Sequence, residues 1–276
     1  MEHTFIQFNG KRIHYQEEGK TNENVIVFLH GFLNSLDIWA PYTYSYMQSV
    51  HVIAIDLPGH GLSDTYGEVH SMEFMAHAVK AVLDNCNVTS CVMLGHSMGG
   101  YVSLAFADAF PNMLKGLILL HSQALADSNE VKEKRLAACK KIFENKSAYI
   151  VNFIPELFNK DNRELLRDEI KDLEEDSLRT TEEGIVAAQK GMAARCSRAY
   201  ILSQSQFPIL FIFGKHDTRI PIELGISLAT LPKYAEVIML GNASHMGHIE
   251  ERKYLKSRIC TMSNTFFCLC CLHMKL

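Results

Sequence analysis

The chain has no surplus of positive charge: 27 Lys and Arg stand against 31 Asp and Glu, a formal charge of -4. It therefore lacks the basic footprint that binds nucleic acid or an anionic membrane surface, and no nucleic-acid partner is expected. Also missing is any apolar run long enough to cross a bilayer, so no membrane span is expected. The start, Met1-Glu2-His3-Thr4-Phe5, has no basic region followed by an apolar core, so no secretory signal is expected and the expected compartment is cytoplasmic. Disulfides are then not expected. Of the eight cysteines, Cys86, Cys91, Cys139 and Cys196 stand singly, without the paired Cys-x-x-Cys spacing of zinc or redox sites, and read as buried thiols. No internal repeat and no Pro-rich linker interrupts the chain.

What is present suits one large folded unit. With 276 residues, 47% hydrophobic and 21% charged, the chain can bury a single α/β core and carry a modest insertion. Thr4–Phe8 and Arg12–Gln16 alternate apolar and polar around Asn9-Gly10, the pattern of an antiparallel hairpin at a sheet edge. Val25–Leu29, His51–Ile55, Val92–Leu94, Leu117–Leu120 and Phe207–Phe213 are continuous apolar runs, as expected of strands covered on both faces. Between them, Ser71–Asn85 carries apolar residues at helical spacing. Strand–helix–strand repetition predicts a doubly wound, mostly parallel sheet. From about Gln123 to Gln204 the alternation stops: Glu130–Phe143, Ala148–Phe158, Arg163–Leu178 and Glu182–Ala194 each suit a helix. The expected division is a core of residues 1–122 and 205–259 and a helical cap over 123–204.

One stretch carries chemistry. Val92-Met93-Leu94 runs into Gly95-His96-Ser97-Met98-Gly99, and a helix-like segment follows from Tyr101. A serine between two glycines on a strand–turn–helix junction sits on a strained turn that lifts its hydroxyl above the sheet edge. The turn also aims the Met98 amide at the space in front of Ser97 Oγ. Alone, the pentad also suits an ordinary turn or a phosphate-binding loop.

With its strand–turn–helix context, this stretch resembles the serine elbow of the α/β-hydrolase fold family, and the resemblance covers most of residues 20–258. It implies a small-molecule acyl substrate, no metal or organic cofactor, and a chain order of serine, acid, histidine. On that order Asp217, on the loop after Phe207–Phe213, is the implied acid. His245, ahead of Glu250, is the implied base, in preference to His248, which falls in the next helix. His60 and Asp56 lie upstream of the serine and are assigned to architecture. The resemblance also places the second oxyanion donor, beside Met98, at the amide of Phe32, after His30-Gly31. Members that open epoxides or remove halides carry aspartate at the elbow, where this chain has Ser97. The expectation is a serine hydrolase with a catalytic triad, Ser97, Asp217 and His245, cleaving an ester, thioester or lactone. Alternatives are a C–C bond hydrolase or lyase on the same triad, and a non-catalytic ligand-binding module. Tyr149, Phe153, Phe158 and Met192 are the cap side chains that would either choose the substrate or simply fill the cap's own core. The oligomeric state is not legible.

The end departs from the resemblance. Residues 260–276, with Cys260, Cys268, Cys270 and Cys271, do not read as a closing amphipathic helix. The expectation is an altered or poorly packed tail, since it is too short to span a bilayer and its cysteine spacing suits no standard metal site.

Overall fold

The computed structural model describes residues 3–273, with side chains described to Cys268. Eight strands form one sheet: β1 (Thr4–Phe8), β2 (Lys11–Glu18), β3 (Val25–Leu29), β4 (His51–Ile55), β5 (Cys91–His96), β6 (Leu114–Leu120), β7 (Ile209–Gly214) and β8 (Ala235–Leu240), in the order β1-β2-β4-β3-β5-β6-β7-β8. β2 pairs antiparallel with β1 and β4, and every other pair is parallel. The hairpin turns at Asn9 and Gly10, both at positive φ, as a tight two-residue turn requires. All five residues of β3 and of β4 and all six of β5 and of β7 are buried, because helices cover both faces. The fold class is as the strand runs predict: a doubly wound, mostly parallel sheet.

Helices α1 (Ala40–Tyr46), α2 (Met72–Asn85) and α3 (Met98–Ala109) follow β3, β4 and β5. Between β6 and β7 lie α4 (Asn129–Phe153), α5 (Arg167–Arg179), α6 (Glu182–Ala194) and α7 (Ala199–Gln204); α8 (Ile222–Ala229), α9 (Gly247–Glu250) and α10 (Arg252–His273) complete the chain. As the sequence suggests, α4 is two helices meeting at a break: Asn145 leaves helical geometry (φ -160, ψ 86), and its side chain accepts the Ala148 amide at 2.9 Å, capping the second. The chain order places the site. From β3 the chain crosses to β4 on one side and later to β5 on the other, so the loops leaving β3 and β5 diverge and open a crevice at their C-terminal ends.

The structure differs from the tail expectation. α10 continues through Cys260 to His273, and Leu255, Ile259, Met262 and Phe266 form a buried stripe against the sheet, with Phe267 beside them. Phe266 lies against Gly116 of β6, where a Cβ would come within 2.2 Å of its ring. The intervening Ser263, Asn264 and Thr265 and the run of thiols hide this three-and-four spacing from a composition-based reading. The side chains of Cys270 and Cys271 and residues 274–276 lie outside the described part. Ending the chain at Ile259 removes Met262, Phe266 and Phe267, and should cost on the order of 5 kcal/mol at roughly 1.5–3 kcal/mol per buried side chain. Urea denaturation checks this: an unchanged midpoint would mean that the last turns contribute nothing.

Candidate active site

Ser97 stands at the junction of β5 and α3 with φ +50 and ψ -113, a backbone conformation that side chains rarely adopt. Several contacts hold it there. Its amide donates to Leu120 O at 2.9 Å, and the Ser122 hydroxyl donates to Ser97 O at 2.8 Å. The flanking glycines permit close backbone passage: a Cβ on Gly99 would lie 2.5 Å from Leu29 O, and one on Gly95 would collide with the Gly99 carbonyl. Strain at the serine is thus over-determined by the strands on either side, which directs Oγ into the crevice rather than into the core.

The three side chains far apart in sequence meet here. Ser97 Oγ lies 2.9 Å from His245 Nε2, and His245 Nδ1 lies 2.8 Å from Asp217 Oδ2. His245 sits on the loop after β8, and its amide donates to Leu157 O from the segment between β6 and β7. Asp217, on the loop after β7, also accepts the amides of Arg219 and Ile220 on Oδ1, at 2.8 and 3.1 Å. Its burial opposes ionisation, but the nearby His245 and the hydrogen bonds from His121 and His245 outweigh that and hold its carboxyl well below the usual carboxylate range. Asp217 is therefore a carboxylate at neutral pH. Phe32 lines the cavity with Ser97 and His245, and Met98 opens α3 directly behind Ser97.

Two further histidines belong to this cluster and escape the sequence reading. His96 donates from Nε2 to the His245 carbonyl at 2.9 Å, under the loop that carries it. His121, fully buried at the end of β6, lies 3.1 Å from Asp217 Oδ2 through Nδ1. Burial holds His96, His121 and His248 below the ordinary imidazole range, so all three are neutral. Position after a strand is the only signal His121 offers, and many loop residues share it. His248 lies in α9, away from Ser97, with its ring 4.4 Å from that of His96. Asp56 accepts the amides of Leu36 and Leu62 and pairs with His14, which is an architectural task. His60 is buried against His30 and Phe32.

Among the described residues, one group of metal-ligand type converges: His121, Asp217 and His245 offer ligand atoms within 4.8 Å of one another. Coordination would require both Nδ1 atoms to give up their protons. His121 Nε2 already accepts the Gly247 amide at 3.1 Å and has no room for the displaced proton. The group fits a hydrogen-bond network better than a coordination sphere.

A cavity of about 520 Å³ opens above Ser97. Tyr149, Phe153 and Met192 line it, while Phe158 is buried elsewhere and does not reach it. Its wall carries more positive charge than negative. The only lining carboxylate, Asp127, is bound on one oxygen by Arg135 and on the other by Arg195, both at 2.6 Å. Arg219 also lines the cavity, its guanidinium 4.7 Å from the Phe153 ring, with no carboxylate within ion-pair distance among the described residues. A larger groove of about 730 Å³, lined by Lys11, Arg12, Asp64 and Arg179, lies apart from Ser97.

Comparison with known proteins places the fold. A sequence family described as the alpha/beta hydrolase fold matches residues 24–141. A thermophilic esterase of Thermogutta terrifontis, solved with malate bound, superposes with a TM-score of 0.90 at 25% identity, covering 96% of this chain and 99% of that one. A 2-hydroxy-6-oxononadienedioate/2-hydroxy-6-oxononatrienedioate hydrolase of a Pseudomonas species is 23% identical over 252 residues, 88% of each chain. Mouse epoxide hydrolase 4 is 29% identical over 118 residues, 42% of this chain, which spans only 33% of that relative's length. No helix among the described residues is long and apolar enough to cross a membrane.

Proposed function

We propose that the chain, which has the α/β-hydrolase fold, is a serine hydrolase that cleaves a small ester, thioester or lactone through an acyl-enzyme on Ser97. The single observation that supports this best is the hydrogen-bonded row from Ser97 Oγ through His245 to Asp217 at the strained elbow. Serine is a poor nucleophile at neutral pH, so His245 Nε2 takes the hydroxyl proton as Oγ attacks the substrate carbonyl. Asp217 holds the ring with Nδ1 protonated and stabilises the imidazolium. The amides of Phe32 and Met98 bind the oxyanion, each contributing about 3 kcal/mol to the transition state. His245 then protonates the leaving group, and water, activated by the same imidazole, releases the acid product. The helical segment over residues 123–204 acts as a cap that shapes the pocket. A fluorophosphonate probe tests the reading: it should label the folded protein at Ser97. A folded protein that never reacts would instead be a non-catalytic binding module.

Cleavage of a C–C bond on the same triad is the second reading, favoured by the likeness to the Pseudomonas hydrolase along most of both chains. Epoxide opening fits less well, since a serine rather than a carboxylate occupies the elbow.

The cavity's surplus of positive charge supports a substrate bearing a carboxylate, with Arg219 and the partly neutralised Arg135 facing it. An activated ester whose acyl chain ends in a carboxylate should show kcat/KM about tenfold above its neutral isostere, since one charge-assisted hydrogen bond is worth roughly 1.5 kcal/mol or more. In Arg219→Gln that ratio should fall toward one. Equal rates in the unaltered protein would remove the claim.

A further inference from the structure

We propose that His121 is a positioning residue for this reaction: a neutral imidazole that holds Asp217 toward His245 and ties down the loop that carries His245. The inference rests on the triad reading above. The segments that follow β6, β7 and β8 meet at this residue. His121 follows β6, its amide donates to Ile212 O of β7 at 2.8 Å, and its own backbone takes a φ of +47. Its ring reaches forward to the acid loop and the histidine loop together. Nε2 lies 3.1 Å from Gly247 N, two residues past His245, and Nδ1 lies 3.1 Å from Asp217 Oδ2.

The two contacts fix the tautomer. A backbone amide can only donate, so Nε2 must be the unprotonated acceptor and the ring proton must sit on Nδ1, where it donates to the carboxylate. Protonating Nε2 would break the bond to Gly247 and bury a cation 5.7 Å from the His245 ring. His121 therefore stays neutral and does not compete for the proton that His245 shuttles. The approach is close: a Cβ on Gly247 would lie 2.5 Å from Nε2, so the first position of α9 accepts only glycine without movement.

Two effects on the reaction follow. Asp217 receives four donors: two ring N–H groups on Oδ2 and two amides on Oδ1. Its carboxylate plane has no other orientation that satisfies them, so Oδ2 faces His245 before substrate arrives. The His121 ring also links Gly247 to Asp217, so the segment carrying His245 and the carboxylate that orients it keep a fixed separation.

Two substitutions separate the tasks. In His121→Asn the amide nitrogen stands near the Nδ1 position and still donates to Asp217, while the acceptor for Gly247 is lost. In His121→Gln the side-chain oxygen reaches the Nε2 position and accepts from Gly247, while the donor to Asp217 is lost. With His121→Gln the downfield proton of the His245–Asp217 bond should move further downfield, because Asp217 Oδ2 then serves His245 alone. With His121→Asn that proton should stay while kcat falls by about tenfold, because a loosened loop misplaces His245. An unchanged proton signal and unchanged kcat in both variants would reduce His121 to a packing residue and overturn the proposal. If either variant fails to fold, ¹⁵N resonances of the unaltered protein decide: at neutral pH His121 should show a protonated Nδ1 and an unprotonated Nε2. A doubly protonated ring or the opposite tautomer overturns the assignment. Fluorophosphonate labelling of Ser97 keeps the outcomes distinct, since it fails only if the triad reading itself fails.

Discussion

Ser97→Ala should lower the turnover of an activated ester by about 10⁵- to 10⁶-fold, the loss expected when the nucleophile of a coupled triad is removed. The protein should nevertheless remain folded. Ser97 Oγ has His245 Nε2 as its recorded partner, while the contacts that hold the elbow run through the backbone of residue 97, to Leu120 and Ser122. Alanine can occupy the same strained φ at no greater cost than serine. Steady-state kinetics and probe labelling, with a thermal melt to establish folding, make the check. Undiminished turnover in the alanine variant would end the assignment of Ser97.

Asp217→Asn should cost about 10⁴-fold in kcat, for a reason particular to this site. The amides of Arg219 and Ile220 donate to Oδ1, so an asparagine must turn its carbonyl oxygen to that side. Its NH₂ group then faces His245 Nδ1 and His121 Nδ1, where two donors expect an acceptor. His245 can answer only by moving its proton to Nε2, which leaves no base for the serine. A pH–rate profile and the downfield proton signal of the His245–Asp217 bond report this loss. An asparagine variant with near-normal kcat would show that the carboxylate is dispensable.

Stability should change with pH through the same carboxylate. Asp217 is depressed in the folded protein relative to an unfolded value of about 3.9. Its contribution is therefore fully present above the unfolded value and lost as the pH falls through and below about 4. Urea midpoints from about pH 7 down to 3 should fall less steeply in Asp217→Asn than in the unaltered protein, because the variant has no such proton to take up.

Much of this molecule is written locally. Runs such as Val25–Leu29 and Phe207–Phe213 are apolar because helices cover both faces of their strands, and that requirement marks the sequence directly. The serine elbow is legible for a similar reason: the glycines around Ser97 answer a steric demand within a few residues. The aromatics of the segment between β6 and β7 show where such reading stops. Tyr149, Phe153 and Phe158 are alike in sequence, yet two line the cavity and one is buried away from it, because the kink at Asn145 and the turn at Pro155–Leu157 set which way each faces. The last turns of α10 misled because cysteines and hydroxyl residues obscure a stripe whose purpose, filling the space beside Gly116, lies on another strand.

What the sequence determined by itself is the sheet and the strained serine turn, since these follow from spacing and covering within single elements; the order serine, acid, histidine came only with the family resemblance. Only the tertiary structure decided that Asp217 serves two histidines, that His121 spans the acid and histidine loops, and that the cavity holds more guanidinium than carboxylate. Each of these depends on strands brought together across roughly a hundred residues, and a hydrogen bond between side chains so far apart leaves no periodicity along the chain to be read.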